Sequence, residues 1–267
     1  MRDVLSKIAG SDGAARLAVW LFFLLLSGCA PSHLASPARD GAQIEVMVIA
    51  TLHSGHVDNP QYSYDDLYNR IQAFEPDIVG VEIRQEDIGR ASEYLARNYP
   101  LEMRVVAERY SDSVVGIDWL GSDLAGRPIP PDYWRDQSEI KRLQREFGEE
   151  TLYATPQMET AGKLQAEILA RATPSSLNDG RYDEATREYY AALADAVGGT
   201  RFARLSEFYA ERDRRIGEAV SKVVERFLPG PAASGRIVFV VGADHRGPLV
   251  EQLSKRFGQS IRLVSVD

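Results

Sequence analysis

Apolar residues fall along this chain in two rhythms. Five short runs are nearly continuous and rich in β-branched residues: Ile44–Ala50, Ile78–Ile83, Val114–Trp119, Ile237–Val241 and Ile261–Val266. Such runs predict strands buried on both faces, as in a parallel sheet. Between the early runs the spacing becomes that of amphipathic helices. Over 63–74, Leu67, Ile71 and Phe74 recur at helical spacing, and Ser63 is placed to cap the first turn. Over 86–98, Ile88, Ala91 and Leu95 share one face. The alternation predicts an α/β fold with a mostly parallel central sheet flanked by helices.

The middle of the chain departs from this rhythm. From about Tyr133 to Phe227 it is charged, alanine-rich and helical, interrupted by Pro174, Ser175-Ser176 and Asn178-Asp179-Gly180. This predicts a helical insertion, about 133–227, between the third and fourth strands of one domain spanning 43–267. Gly230-Pro231 through Gly235 returns the chain to the sheet.

The first residues read as an address. Basic Arg2, Lys7 and Arg16 precede an apolar run of ten residues, Leu17–Leu26, then Ser27-Gly28-Cys29. Ten apolar residues are too few to cross a bilayer, which takes about 20. Basic flank, short apolar core and small residues predict a secretory signal over 1–28. The ending Leu26-Ser27-Gly28-Cys29 looks like a bacterial lipobox, in which Cys29 is lipidated. Residues 29–42 then form a flexible tether that includes His33. The expectation is a lipid-anchored envelope protein, held at the outer membrane and facing the periplasm in a Gram-negative cell.

Composition narrows the partners. The 267 residues are 44% hydrophobic and 26% charged, ordinary for a globular protein. With 31 basic against 39 acidic residues the net charge is −8, and removal of the signal makes it −9. No basic block stands out, so nucleic acid is not expected as a partner. The single cysteine excludes an internal disulfide framework and a multi-cysteine zinc site.

The candidate chemistry follows the strands. The first runs into His53, Gly55 and His56, the second carries Glu82 with Arg84 two residues on, and the third ends at Asp118. The fourth runs into Gly242-Ala243-Asp244-His245-Arg246-Gly247. In a parallel sheet these strand ends lie along one edge, where α/β folds bind ligands. Period-two alternation places Arg84 on the face of Glu82. Histidine with carboxylate suits divalent metal binding or acid–base work near neutral pH. A glutamate in so apolar a run needs a cation, and Arg84, Arg246 or a metal are the candidates. No Gly-x-Ser-x-Gly elbow or phosphate-binding loop occurs.

Three segments carry a resemblance: Val48-Ile49-Ala50-Thr51-Leu52-His53, Phe74-Glu75-Pro76-Asp77-Ile78-Val79-Gly80-Val81-Glu82, and Val240 through Gly247. Together they resemble the TraB/TIKI superfamily, which takes in erythromycin esterases, GumN-like proteins and ChaN-like haem-binding lipoproteins. Glu211-Arg212-Asp213 resembles that group's helical Arg-Asp element. The likeness spans about residues 44–258, departs from the pattern at Ala50, where glycine is usual, and has His56 as an extra residue. It implies that His53, Glu82 and His245 form the site, with Arg212 as a polar supporter; the strand ends themselves add Asp118 and Asp244 as supporting residues.

Two functions are then open. In one, a hydrolase of peptide or ester bonds holds Mn, Co or Zn on His53, His245 and Glu82, with His56 as a further ligand. Glu82 is then ligand or general base, and Arg84 or Arg246 stabilises developing negative charge. A metal-free variant uses a histidine or Glu82 as base on water directly. In the other, the chain binds haem or a metal without turnover. An envelope interaction protein with a decayed site is a third possibility.

Overall fold

The computed structural model describes residues 43–150, 152–228 and 234–266. Cys29, the signal segment and the tether lie outside the described residues, and no helix among those described is long and apolar enough to cross a membrane.

The five apolar runs form one sheet, and every pairing in it is parallel. The strands are β1 (Ile44–Thr51), β2 (Ile78–Val81), β3 (Val114–Gly116), β4 (Gly235–Gly242) and β5 (Ile261–Val264), in spatial order β3-β2-β4-β1-β5. The central strand is β4, which lies between β2 and β1. Register aligns Thr51 with Gly242 and Val81 with Val240. The residues just past β1, β2 and β4 therefore emerge side by side.

Early helices cover one face: α1 (Tyr64–Phe74), α2 (Ser92–Asn98) and α3 (Leu101–Arg109). In α1, Ser63 accepts from the Asp66 backbone N–H while Asp66 accepts from that of Ser63, a reciprocal cap. Later helices fill the stretch between β3 and β4: α4 (Glu139–Glu149), α5 (Pro156–Ala170), α6 (Pro174–Leu177), α7 (Arg181–Val197) and α8 (Ala203–Glu225). The helix α9 (Ala243–Phe257) follows β4.

Alternation along the strands divides the core. Met47 and Ile49 of β1, with Val238 and Val240 of β4, pack with Leu67, Ile71, Met103 and Val106. Val46, Val48, Phe239 and Val241 face Ile216, Val220 and Val224 of α8 and Leu249 and Leu253 of α9. Gly80 is required here, because a Cβ would lie 2.4 Å from Cδ1 of Phe239. A third cluster, around Leu193, Val197, Phe202 and Leu205, belongs to the later helices.

Candidate functional site

The strand ends enclose a cavity of about 390 Å³ lined by His53, Glu82, Asp118 and Arg212, with Arg97, Asn98, Tyr99, Pro100 and Trp134 as its walls. Its floor is a charged knot around Arg212, which α8 brings from more than a hundred residues away. Arg212 Nε donates to Asp118 Oδ1 at 2.9 Å and Nη2 to Glu82 Oε1 at 2.6 Å. Nη1 lies 3.1 Å from His245 Nε2. A planar guanidinium fits three acceptors at fixed angles, which an ammonium does not.

Glu82 uses both carboxylate oxygens, since Oε2 accepts from the Gly242 N–H at 2.7 Å. Burial works against its ionisation, but His245, Arg212, His53 and that N–H outweigh it and hold the group well below the usual carboxylate range. Asp118 moves the other way: burial and the nearby Glu82 charge raise it against the pull of Arg212.

Each histidine at this edge has a carboxylate behind it. His53 Nδ1 is 2.7 Å from Oε1 of Glu102, a fully buried side chain on α3 that also accepts from the Thr51 hydroxyl at 3.2 Å. An acceptor there keeps the proton on Nδ1 and leaves the Nε2 lone pair free. The His53 side chain is 42% exposed, and its backbone takes φ of 50°, a strained value for a non-glycine residue. Tyr64 Oη donates to its carbonyl at 3.1 Å and holds it there. Burial lowers the His53 pKa, but Glu102 and Glu82 reverse this and raise it above 6.5.

His245 is bound at Nδ1 by Asp213 Oδ1 at 2.5 Å. Its Nε2 faces opposing demands, a lone pair for Arg212 at 3.1 Å and a proton for Glu82 Oε1 at 3.5 Å. The closer contact fits the neutral tautomer, while Glu82 and Asp213 together raise the pKa against burial and Arg212. His245 is almost fully buried behind the guanidinium and does not line the cavity.

Four other sequence candidates lie elsewhere. His56 is buried with both ring nitrogens committed: Nε2 accepts from the Leu52 N–H at 3.0 Å and Nδ1 donates to the Tyr62 carbonyl at 2.7 Å. It has no lone pair for a metal, and burial lowers its pKa. Arg84 does not share the face of Glu82, because β2 ends at Val81 and the Ile83 N–H folds back to the Val81 carbonyl. Period-two alternation stops there, and Arg84 turns to Asp87 and to the carbonyls of Leu124 and Arg127. Arg246 reaches the Val48 carbonyl and Asp183, and Asp244 accepts from the Tyr182 hydroxyl at 2.7 Å. Both tie α9 to α7.

The metal set implied by the resemblance does not fit these side chains. The fixed positive charge of Arg212 already stands among Glu82, Asp118 and His245, and each of these spends an atom on it. Among the described residues, no group of three or more histidine, cysteine or acidic side chains is arranged to hold a metal. For haem, His53 Nε2 is the one ring nitrogen of His53, His56 and His245 with no partner among the described residues.

Glu102 and Asp213 are the functional side chains that sequence reasoning did not single out as site residues. A sequence signal existed for Asp213 only; the burial of Glu102 emerges with the fold. Glu102 shares the buried face of α3 with Met103 and Val106, and Asp213 adjoins Arg212.

No known family profile matches the chain, and no curated protein matches it in sequence. Among solved structures, a histidine-to-asparagine mutant of an erythromycin esterase in its open conformation is similar. The two share 13% identity and a TM-score of 0.32 over 83% of this chain and 69% of that chain.

Proposed function

We propose that this chain is a hydrolase of peptide or ester bonds in which His53 activates water directly, and that a lipid on Cys29 anchors it to the cell envelope. One observation carries the hydrolase reading. His53 has Nδ1 against the buried Glu102 carboxyl, which favours the proton there, and no partner among the described residues at Nε2, at an open cavity also lined by the mostly buried Arg212.

The chemistry follows from that arrangement. His53 Nε2 takes a proton from water as its oxygen attacks the acyl carbon. Negative charge builds on the carbonyl oxygen. Arg212 has five N–H bonds, and an Nη1 hydrogen not facing His245 is available to that oxygen. Collapse of the tetrahedral intermediate expels the leaving group, which takes the proton back from His53. Glu82 and Glu102 stabilise the imidazolium in between. Asp213 and His245 act as positioning residues that hold Arg212 flat. The motif resemblance to the TraB/TIKI superfamily supports the same class of reaction.

The test is hydrolysis of a mixed library of acyl esters and peptides by purified protein stripped with a chelator. Turnover that survives stripping and is lost in His53→Ala supports the reading. Turnover equal in His53→Ala, or none in the wild type, overturns it. The anchor is tested by palmitate labelling, which Cys29→Ala should abolish.

A further inference from the structure

Near the cavity at His53 stands a larger one, with no lining residue in common but with lining residues adjacent in sequence. Asp118, Trp134 and Arg212 line the first, and their chain neighbours Trp119, Tyr133 and Glu211 line an adjoining cleft of about 590 Å³. Three consecutive pairs, from three separate elements, straddle the border, and consecutive Cα atoms are about 3.8 Å apart. A molecule reacting at His53 and longer than the first cavity would reach this cleft past those three pairs.

The cleft has a defined chemistry. Trp119 and Phe208 stack with ring centroids 5.7 Å apart at 30°, giving a half-buried aromatic platform. Tyr133 is fixed beside it by a 3.0 Å bond from its hydroxyl to the Leu120 carbonyl. Four acids, Asp123, Glu139, Glu207 and Glu211, stand against Arg127 and Arg204. Arg204 is 3.4 Å from Glu139, and Arg214 and Arg215 engage Glu211. Among the described residues Asp123 and Glu207 have no cationic partner and Arg127 has no acidic one, so the unpaired charge lining the cleft is negative by one, over an apolar base. Arg215, with its guanidinium carbon 5.9 Å from the Trp119 ring centroid, lines a neighbouring cavity and not this cleft.

We propose that this cleft binds the non-reacting arm of the substrate, and that the arm is apolar and ends in an ammonium or guanidinium. The inference rests on the hydrolase reading and adds a substrate class to it: elongated cationic acyl compounds, a basic peptide or an amine-bearing ester. An anionic arm meets Asp123 and Glu207, and a neutral arm gains the platform without the charge.

The experiment uses the full chain and matched acyl esters with one scissile group and one alkyl arm, ending in trimethylammonium, tert-butyl or carboxylate. The first two ends are nearly isosteric, so their ratio isolates charge. The expected order of kcat/KM is cation, neutral, anion, with the cation roughly fivefold above the neutral ester. Trp119→Ala and Glu207→Gln should each bring that ratio towards one. Equal values for cation and neutral ester, or a ratio unmoved by Trp119→Ala, overturn the proposal. Should no ester be hydrolysed, the hydrolase reading falls, and pentyltrimethylammonium titrated against tryptophan fluorescence decides the cleft separately. Saturable quenching lost in Trp119→Ala sustains the cation subsite; absence of quenching in the wild type overturns it.

Discussion

Glu102 Oε1 lies 2.7 Å from His53 Nδ1, so a fully buried carboxyl on α3 sets the tautomer of a half-exposed histidine at the end of β1. The pair has a pH signature. A base works when deprotonated, and the His53 pKa stands above 6.5 because Glu102 and Glu82 outweigh burial. The rate is therefore expected to rise with pH through a midpoint above 6.5. Glu102→Gln removes the upward pull, moving the midpoint to lower pH and lowering kcat by about 10²-fold. A pH profile of kcat/KM checks both, and an unmoved midpoint contradicts the coupling.

Gly242 is a second lever on the same ring. A Cβ there would stand 2.6 Å from His53 Nε2 and 3.3 Å from Glu82 Oε2. The imidazole is the mobile partner, being partly exposed, so it gives way while the strand stays. Gly242→Ala should reduce turnover by about 10²-fold, as an ångström of misplacement does, with a melting temperature near that of the wild type. A variant that loses activity only by unfolding would show the glycine to be structural.

Arg212 joins Glu82, Asp118 and His245 in a nearly buried knot. Removing it leaves two carboxylates uncompensated. Arg212→Ala is expected to destabilise the fold by about 3–5 kcal/mol, measured by urea unfolding at neutral pH. Arg212→Lys should recover only part of this, because one ammonium does not span three acceptors. Full recovery by lysine would mean that charge alone matters.

The carboxylate of Glu82 gives stability its own pH dependence. Its folded pKa is lowered below 4.5, because His245, Arg212 and His53 outweigh burial. Its contribution is then fully present above the unfolded value and lost as pH falls from about 4.5 through the folded one. The unfolding free energies of wild type and Glu82→Gln should differ most near neutral pH and converge on acidification towards pH 2. Parallel curves across that window would place the acid transition on other groups.

Much of this architecture is visible in the linear pattern. The five strands, the Ser63 cap and the helical stretch between β3 and β4 follow from local periodicity, which needs only neighbours three or four residues away. Among the site residues, Glu82 stands out because an acid in so apolar a run must have a partner. Helix α3 does not stand out. Its Leu101–Arg109 pattern is weak, so the buried Glu102 on it is hidden as well.

The sequence by itself determined that an α/β sheet brings histidines and acids to one edge, because strand burial and parallel pairing are written in the spacing of apolar residues. It also determined that Glu82 would need a cation. The motif resemblance placed Arg212 near the site, but only the tertiary structure decided that it, and not Arg84 or Arg246, is that cation. Where a strand stops sets the direction of the next side chain, and β2 stops one residue before Glu82, which turns Arg84 away. Helix α8, more than a hundred residues further on, delivers Arg212 in its place. That choice depends on how distant helices pack, and no local window of the chain contains it.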